Sequence, residues 1–260
     1  MALTCEGKVA LVTGGSRGLG KAIAERLAAE GATVAVTART LDPDPKYVGS
    51  LRETLEGIEA NGGKAIAVQA DLSNPDDRVR LMAEVSDRVG APDILVNNAA
   101  VTFLRPLDEF PDKRARLMLE MHVLAPLHLT QMAIPAMRER GRGWVLMLTS
   151  LAGERIVGPP FDAFDSGAGF GVYGTCKAAL ARLAQAFAAE LHADGIAVNA
   201  ASTTKPVRTP GAGTLDLAKD DTEDIAYITE TAFQLCTGDP ATLTGQVAET
   251  QPFLRSLGLL

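Results

Sequence analysis

The sequence predicts an α/β protein built on a doubly wound parallel sheet with helices on both faces. Short apolar runs alternate with segments of helical periodicity from one end of the chain to the other. The runs are nearly continuous in apolarity, as expected of strands buried on both faces by helices. A glycine-rich turn, Thr13-Gly14-Gly15-Ser16-Arg17-Gly18-Leu19-Gly20, separates the first run from the first helical segment. No repeat, low-complexity tract or linker breaks the pattern, so one domain over 1–260 is expected.

The first strand is expected over 8–13. Its helix follows over 17–30, where Leu19, Ile23 and Leu27 share a face. A second strand over 32–37 runs into a proline-rich stretch at 41–45. The helix at 51–60 stops at Asn61-Gly62-Gly63, before a third strand at 64–69. The helix at 75–89 carries Pro75 in its first turn, with Ser73 or Asn74 as cap. A fourth strand occupies 93–97. A long helix over 114–140 is expected to bend at Pro126 and Pro135. A fifth strand at 143–149, an alanine-rich helix at 173–192 and a sixth strand at 196–200 follow. The pattern closes with a helix at 222–236 and a short strand at 245–248.

Composition narrows the function classes. The chain has 260 residues, 47% apolar and 22% charged, ordinary for a soluble globular protein with a sizeable core. A net charge of −7 argues against broad nucleic-acid affinity. No apolar run is long enough for a membrane-spanning helix. The chain enters its first strand at once, leaving no room for a signal peptide. Cys5, Cys176 and Cys236 are odd in number and widely spaced, which suggests neither a disulfide framework nor a zinc site. A cytoplasmic setting is therefore expected. His122, His128 and His192 lack metal-ligand spacing, and no metal is expected.

In such sheets ligands sit beyond the carboxyl ends of the strands. Residues 13–20, 37–39, 70–72, 97–100 and Thr149-Ser150 all fall there. Gly14, Gly18 and Gly20 permit a tight turn and close approach to a phosphate. The helix N-terminus behind them offers free N–H groups and a positive dipole end. The second strand ends in Val36-Thr37-Ala38-Arg39-Thr40, without the acid that often holds a ribose 2′-hydroxyl. Arg39 and Arg17 suit a 2′-phosphate instead, favouring NADP(H) over NAD(H). Both arginines could equally be solvated surface charges. Asp71, before Leu72, could face an adenine amine or simply cap a turn. Tyr173 and Lys177 stand four apart, on one helix face. A nearby ammonium lowers a phenol from its usual pKa of ~10 and makes it a usable acid or base. The same spacing also suits an ordinary amphipathic helix.

Taken together, Thr13-Gly14-x3-Gly18-Leu19-Gly20, Asp71-Leu72, Asn97-Asn98-Ala99-Ala100, Ser150 and Tyr173-x3-Lys177 resemble the short-chain dehydrogenases/reductases. The resemblance covers nearly the whole chain. It implies a Rossmann-like fold of about seven strands and hydride transfer between a nicotinamide and a carbonyl/alcohol pair. It implies that Tyr173 moves the proton, Lys177 lowers the Tyr173 pKa and bonds the nicotinamide ribose, and Ser150 bonds the developing oxyanion. Gly14, Ser16, Arg17, Gly18, Leu19, Gly20, Arg39, Asp71, Leu72 and Asn98 form the implied cofactor set, with Tyr173, Lys177 and Val207. Homodimers or homotetramers through the helices around 110–140 and 173–192 are also implied.

The chain departs from the family pattern in three places. His122 stands where the family often carries an Asn that holds a water beside the catalytic Lys. Histidine can donate, accept and titrate near neutrality, so it could sustain a proton relay or be a packed core residue. The stretch between Ser150 and Tyr173 is long. Its glycines and aromatics near 153–171 suggest a loop over a bulky apolar substrate, or an interface loop. The family's Pro-Gly after the sixth strand is missing from 199–209, ahead of an expected lid near 203–222. Val207 could keep a backbone contact to the nicotinamide there. Lys205 and Arg208 could meet an anion or lie in solvent. The leading reading is an NADP(H)-dependent oxidoreductase acting on a small-molecule ketone or secondary alcohol. The alternative is a catalytically weak NADP(H)-binding sensor or scaffold. Enoyl reduction fits less well, because relatives with that activity separate Tyr and Lys more widely.

Overall fold

A computed structural model describes residues 4–45, 48–167, 169–210 and 222–260. Seven parallel strands form one sheet in the order β3-β2-β1-β4-β5-β6-β7. They are β1 Val9–Thr13, β2 Thr33–Ala38, β3 Lys64–Gln69, β4 Ile94–Asn97, β5 Gly143–Leu148, β6 Ile196–Ser202 and β7 Val247–Glu249. The helices are α1 Gly18–Ala29, α2 Leu51–Ala60, α3 Pro75–Val89, α4 Asp112–Leu119, α5 Ala125–Arg140, α6 Ala163–Gly167, α7 Gly171–Leu191, α8 Ile225–Thr237 and α9 Thr250–Ser256. This is the expected Rossmann-like, doubly wound sheet.

Strand residues alternate between two cores, because successive side chains leave opposite faces of a sheet. Leu11, Leu95, Val145 and Val198 pack with Leu81 of α3, Leu129 of α5 and Leu180 of α7. Ala10, Val12, Ile94 and Val96 pack with Ile23 and Leu27 of α1, Ile58 of α2 and Ile228 of α8. Both strand faces are thus covered, which explains the absence of polar alternation in the runs. The chain leaves β1 toward β2 on one side and β4 on the other. That reversal opens a crevice at the carboxyl ends of the strands.

Helix ends follow local chemistry. Ser50 and Glu53 form a reciprocal capping box on α2, satisfying two otherwise unpaired N–H groups. Asn74 rather than Ser73 caps α3, accepting from Asp76 N–H at 3.0 Å. The helix predicted from 222 starts at Ile225, with Asp224 as its cap. Glu223 just ahead pairs in a β-bridge with Val207. The C-terminal α9 was not anticipated.

The largest departure lies in the predicted helix over 114–140. It begins two residues earlier, and a π turn, Glu120–Leu124, separates α4 from α5. Pro126 has no N–H for the carbonyl four residues back, so the regular ladder cannot pass through it. The Ala125 N–H bonds instead to the Glu120 carbonyl, five residues back. Buried Arg78 of α3 braces this turn, pairing with Glu120 and donating to the Leu124 carbonyl at 3.3 Å. Among the described residues no helix is long and apolar enough to cross a membrane, and no cluster of ligands could hold a metal ion. Cys5, Cys176 and Cys236 are buried thiols.

Candidate active site

The tips of β1 and β4 are tied together by Thr13. Its hydroxyl donates to the Val96 carbonyl at 3.2 Å and accepts from the N–H groups of Asn98 and Ala99, each at 3.0 Å. The Asn98 amide donates back to the Thr13 carbonyl at 2.8 Å and to Gly14 at 3.2 Å. Three chain segments therefore converge where a side chain has no room. A Cβ on Gly14, whose φ is +67°, would stand 2.9 Å from the Ala99 Cα. A Cβ on Gly20 would run into Asn98 and the Gly14 backbone. Behind this turn α1 starts with an extended Arg17, no side-chain cap and no acid in its first turn. Its leading N–H groups and positive dipole end thus stay available to an anion.

A cavity of about 1530 Å³ runs from this turn to the carboxyl ends of β4 and β5. Gly14, Ser16, Arg17, Gly18, Leu19, Arg39, Asp71, Leu72 and Asn98 line one end. Ser150, Tyr173, Lys177 and Val207 line the other. The donor set fits a nicotinamide dinucleotide. The glycine turn leaves space for a pyrophosphate, and the end of β2 offers Arg39 and no carboxylate. Asp71 itself accepts from the Ser73 N–H at 3.0 Å and hydroxyl at 2.7 Å, so it caps a turn as well as facing the cavity.

Two residues of the expected set do not line the cavity. Gly20 lies behind it, where its missing side chain lets α1 approach Asn98. His122 lies behind Tyr173. Lys205 and Arg208 do not line it either, although Pro206 and Thr209 beside them do. Of the expected lid at 203–222, residues 211–221 lie outside the described residues.

At the reacting end two glycines set the geometry. Ser150 caps a short turn, Leu151–Gly153, its hydroxyl oxygen accepting from Ala152 N–H at 3.3 Å. A Cβ on Gly153 would stand 2.7 Å from the Ala178 nitrogen, and one on Gly174 would strike the Ala152 carbonyl. Only with both absent can the turn lie flat on α7 and bring Ser150 to Tyr173. Lys177, one helical turn further on, is 4% exposed. Its Nζ donates to the Leu148 carbonyl at 2.6 Å and lies 5.6 Å from the centre of the Tyr173 ring. Burial pulls its pKa down to about 8.

The Tyr173 pKa moves opposite to expectation. Burial raises it, and the hydrogen bond with Ser150 offsets only part of that rise. Loss of water around a buried phenolate is the larger effect, and the neighbouring Cys176 adds to it. The phenol therefore rests in its protonated form.

His122, in the π turn, is 1% exposed. Its Nε2 lies 2.7 Å from the Val101 carbonyl. A carbonyl only accepts, so Nε2 carries the proton and Nδ1 keeps a lone pair. That Nδ1 is buried without a hydrogen-bond partner among the described residues. The ring meets Tyr173 edge-on at 5.6 Å between centroids. Burial, then the Lys177 charge, lowers its pKa to about 3, so the imidazole is neutral near pH 7.

The long stretch before Tyr173 contributes Val157, Phe164 and Phe170 to the cavity wall, whereas Phe161 does not line it. Phe170 stacks on Phe164 at 4.6 Å and lies 6.0 Å from Tyr173. Three arginines that sequence reasoning passed over, Arg105, Arg114 and Arg155, also reach the cavity. Arg105 and Arg114 sit in segments with no motif, and Arg155 was signalled only by its place in the long stretch before Tyr173. Thr13 was visible within the glycine-rich motif, but its tie to β4 was not.

A family model described as short chain dehydrogenase matches residues 8–217. The chain is 34% identical over 196 residues to the ketoacyl reductase HetN of Nostoc sp., covering 75% of this chain and 62% of that protein. It spans between 57% and 66% of the length of several curated relatives. A solved short-chain dehydrogenase from Mycobacterium thermoresistibile superposes with a TM-score of 0.85 at 29% identity, covering 97% of this chain and 88% of that one. A metagenomic short-chain oxidoreductase, solved in complex with NADP, superposes with a TM-score of 0.75 at 28% identity, covering 95% and 97%. The glycine turn, the doubly wound sheet and the Ser150, Tyr173 and Lys177 cluster are thus accompanied by similarity along most of the chain, which belongs to the short-chain dehydrogenase/reductase family.

Proposed function

We propose that the protein is an NADP(H)-dependent oxidoreductase that interconverts a bulky, apolar ketone and its secondary alcohol. One observation carries this reading. A hydroxyl, a phenol and an ammonium, from Ser150, Tyr173 and Lys177, meet at one end of a cavity whose other end is a glycine turn flanked by two guanidiniums. When bound, the nicotinamide supplies or accepts the hydride. The protein's own residues handle the oxygen and the proton. Ser150 donates a hydrogen bond to the carbonyl oxygen as charge develops on it. Tyr173 delivers the proton in reduction and removes it in oxidation. Lys177 steadies the charge left on the phenol and refills its proton. His122, with its lone pair at Nδ1, offers an acceptor behind this pair and takes the place of the family's Asn. Val157, Phe164 and Phe170 supply the apolar wall. The continuous sheet supports one domain over 1–260, and assembly as a homodimer or homotetramer through the helices around 110–140 and 173–192 is part of the proposal.

Titrating the protein with NADPH and NADH, followed by nicotinamide fluorescence, and then adding a panel of bulky ketones tests this directly. Tight NADPH binding and ketone-dependent oxidation are expected. Binding of neither nucleotide would instead favour the sensor or scaffold reading.

Arg17 and Arg39 decide the cofactor preference. Replacing both with Ala is expected to weaken NADPH by roughly tenfold or more, in line with losing charged hydrogen bonds worth about 1.5–3 kcal/mol. NADH affinity should change little. Equal losses for both nucleotides would mean that the arginines do not read the 2′-phosphate.

Lys177 sets the pH profile. Its charged form exists below its pKa of about 8, while Tyr173 is held protonated well above neutrality. Reductive kcat/KM of the free enzyme should therefore be level through neutral pH and fall as pH rises past about 8. A profile that stays level well beyond pH 8 would remove Lys177 from this role.

A further inference from the structure

We propose that the substrate carries an anionic group beyond its carbonyl, held by Arg105, Arg114 and Arg155 at the outer part of the cavity. This rests on the oxidoreductase reading and specifies its substrate as an amphiphilic anion, a carboxylate or a phosphate ester on an apolar body.

The charge distribution points there first. The chain carries a net charge of −7, yet its cavity is lined by six basic side chains, Arg17, Arg39, Arg105, Arg114, Arg155 and Lys177, against three acidic ones, Asp71, Glu154 and Asp162. Arg105, Arg114 and Arg155 are exposed side chains, and an excess of one sign along a cleft raises the local concentration of ligands of the other. Arg17 and Arg39 stand at the dinucleotide end, and Lys177 is buried against Leu148. The three remaining guanidiniums have no part in either task.

They also reach the cavity from separate elements. Arg105 lies after β4, Arg114 in α4 and Arg155 after β5. None forms an ion pair among the described residues. Arg114 rests on the Phe103 ring at 4.7 Å. Such stacking orients a guanidinium while leaving its edge free to grip a carboxylate or phosphate. The backbone at Arg105 is fixed too, donating to the Gly169 carbonyl at 3.3 Å. Gly169 has φ +69°, and a Cβ there would stand 2.8 Å from the Arg105 nitrogen. Leu117, Met121, Leu151, Val157 and Phe170 line the same cavity, so apolar surface accompanies the charged groups. A neutral apolar ketone would leave the three charges unused.

The test is calorimetric titration of the protein, with and without NADPH, using octanoate, octyl phosphate and octanol as probes. At least one anion is expected to bind about tenfold or more tightly than the alcohol, as a charged hydrogen bond would give. An Arg114→Gln/Arg155→Gln variant should erase most of that difference, with NADPH affinity serving as the check on folding. A carboxylate preference and a phosphate preference distinguish the two headgroups. In parallel, the ratio of kcat/KM for an oxo-carboxylic acid over its methyl ester should exceed one and fall in the variant. Equal binding of anion and alcohol, or a preference that survives the variant, overturns the proposal. Arginine-dependent anion binding without turnover of any ketone would keep the anionic ligand and overturn the oxidoreductase reading. Turnover of neutral ketones with no anion preference would do the reverse.

Discussion

Replacing Tyr173 with Phe is expected to lower kcat for ketone reduction by about 10²–10⁴-fold, the usual worth of a positioned acid or base. The dissociation constant for NADPH should stay within about twofold, since Phe keeps the ring and its packing. The phenol stands at one wall of the cavity that Ser150 also lines, with the Lys177 Nζ 5.6 Å from its ring centre. Burial keeps it protonated, which suits a proton donor in the reductive direction. Phe removes the O–H and leaves the ring, so the edge-on contact with His122 at 5.6 Å survives. The variant thus separates chemistry from structure. A Tyr173→Phe protein that turns ketones over at near wild-type rates would end the proposed mechanism. Loss of NADPH affinity alongside activity would instead assign Tyr173 to cofactor binding.

The second large effect is on stability in acid, through His122. Its folded pKa is about 3 against an ordinary value of 6.5. Above 6.5 the imidazole is neutral in both folded and unfolded chains and contributes no pH dependence. Between about 6.5 and 3 the unfolded chain binds a proton that the folded one refuses, so stability falls as pH falls. Each pH unit in that window is worth about 1.4 kcal/mol, or roughly 3 kcal/mol by pH 4. The cause is geometric. The ring is buried, Nδ1 has no hydrogen-bond partner among the described residues, and the Lys177 charge stands nearby, so a second proton is both desolvated and repelled. His122→Asn removes the titration. Urea unfolding of both proteins across acid pH should show a shallower slope for the variant, with carboxylates common to both. Parallel slopes would mean that the imidazole is protonated in the folded protein. The lost bond to Val101 shifts the whole variant curve and leaves its slope alone, so the slopes are the quantity to compare.

Much of the fold was legible because it is written locally. The spans of α2, β3 and α3 agree with expectation to the residue, since Ser50, Asn61-Gly62-Gly63 and Asn74-Pro75 are start and stop signals within the segment itself. The glycine turn was legible for the same reason. The π turn was not, although Pro126 signalled a disturbance. A proline reports that the ladder fails, but the form of the repair depends on what braces it, here Arg78 from α3. The start of α8 slipped by three residues because Glu223 is committed to Val207, a partner remote in sequence.

The site divides along the same line. By itself the sequence determined the strand–helix alternation, the glycine turn and the helical spacing of Tyr173 and Lys177, because periodicity, capping and φ preference act within a few residues. Only the tertiary structure decided that Tyr173 is pushed up rather than down, that His122 is neutral with a free lone pair, and that Arg105, Arg114 and Arg155 share one cavity. Those outcomes depend on desolvation and on charges brought together from distant segments, and neither exists until the chain has folded.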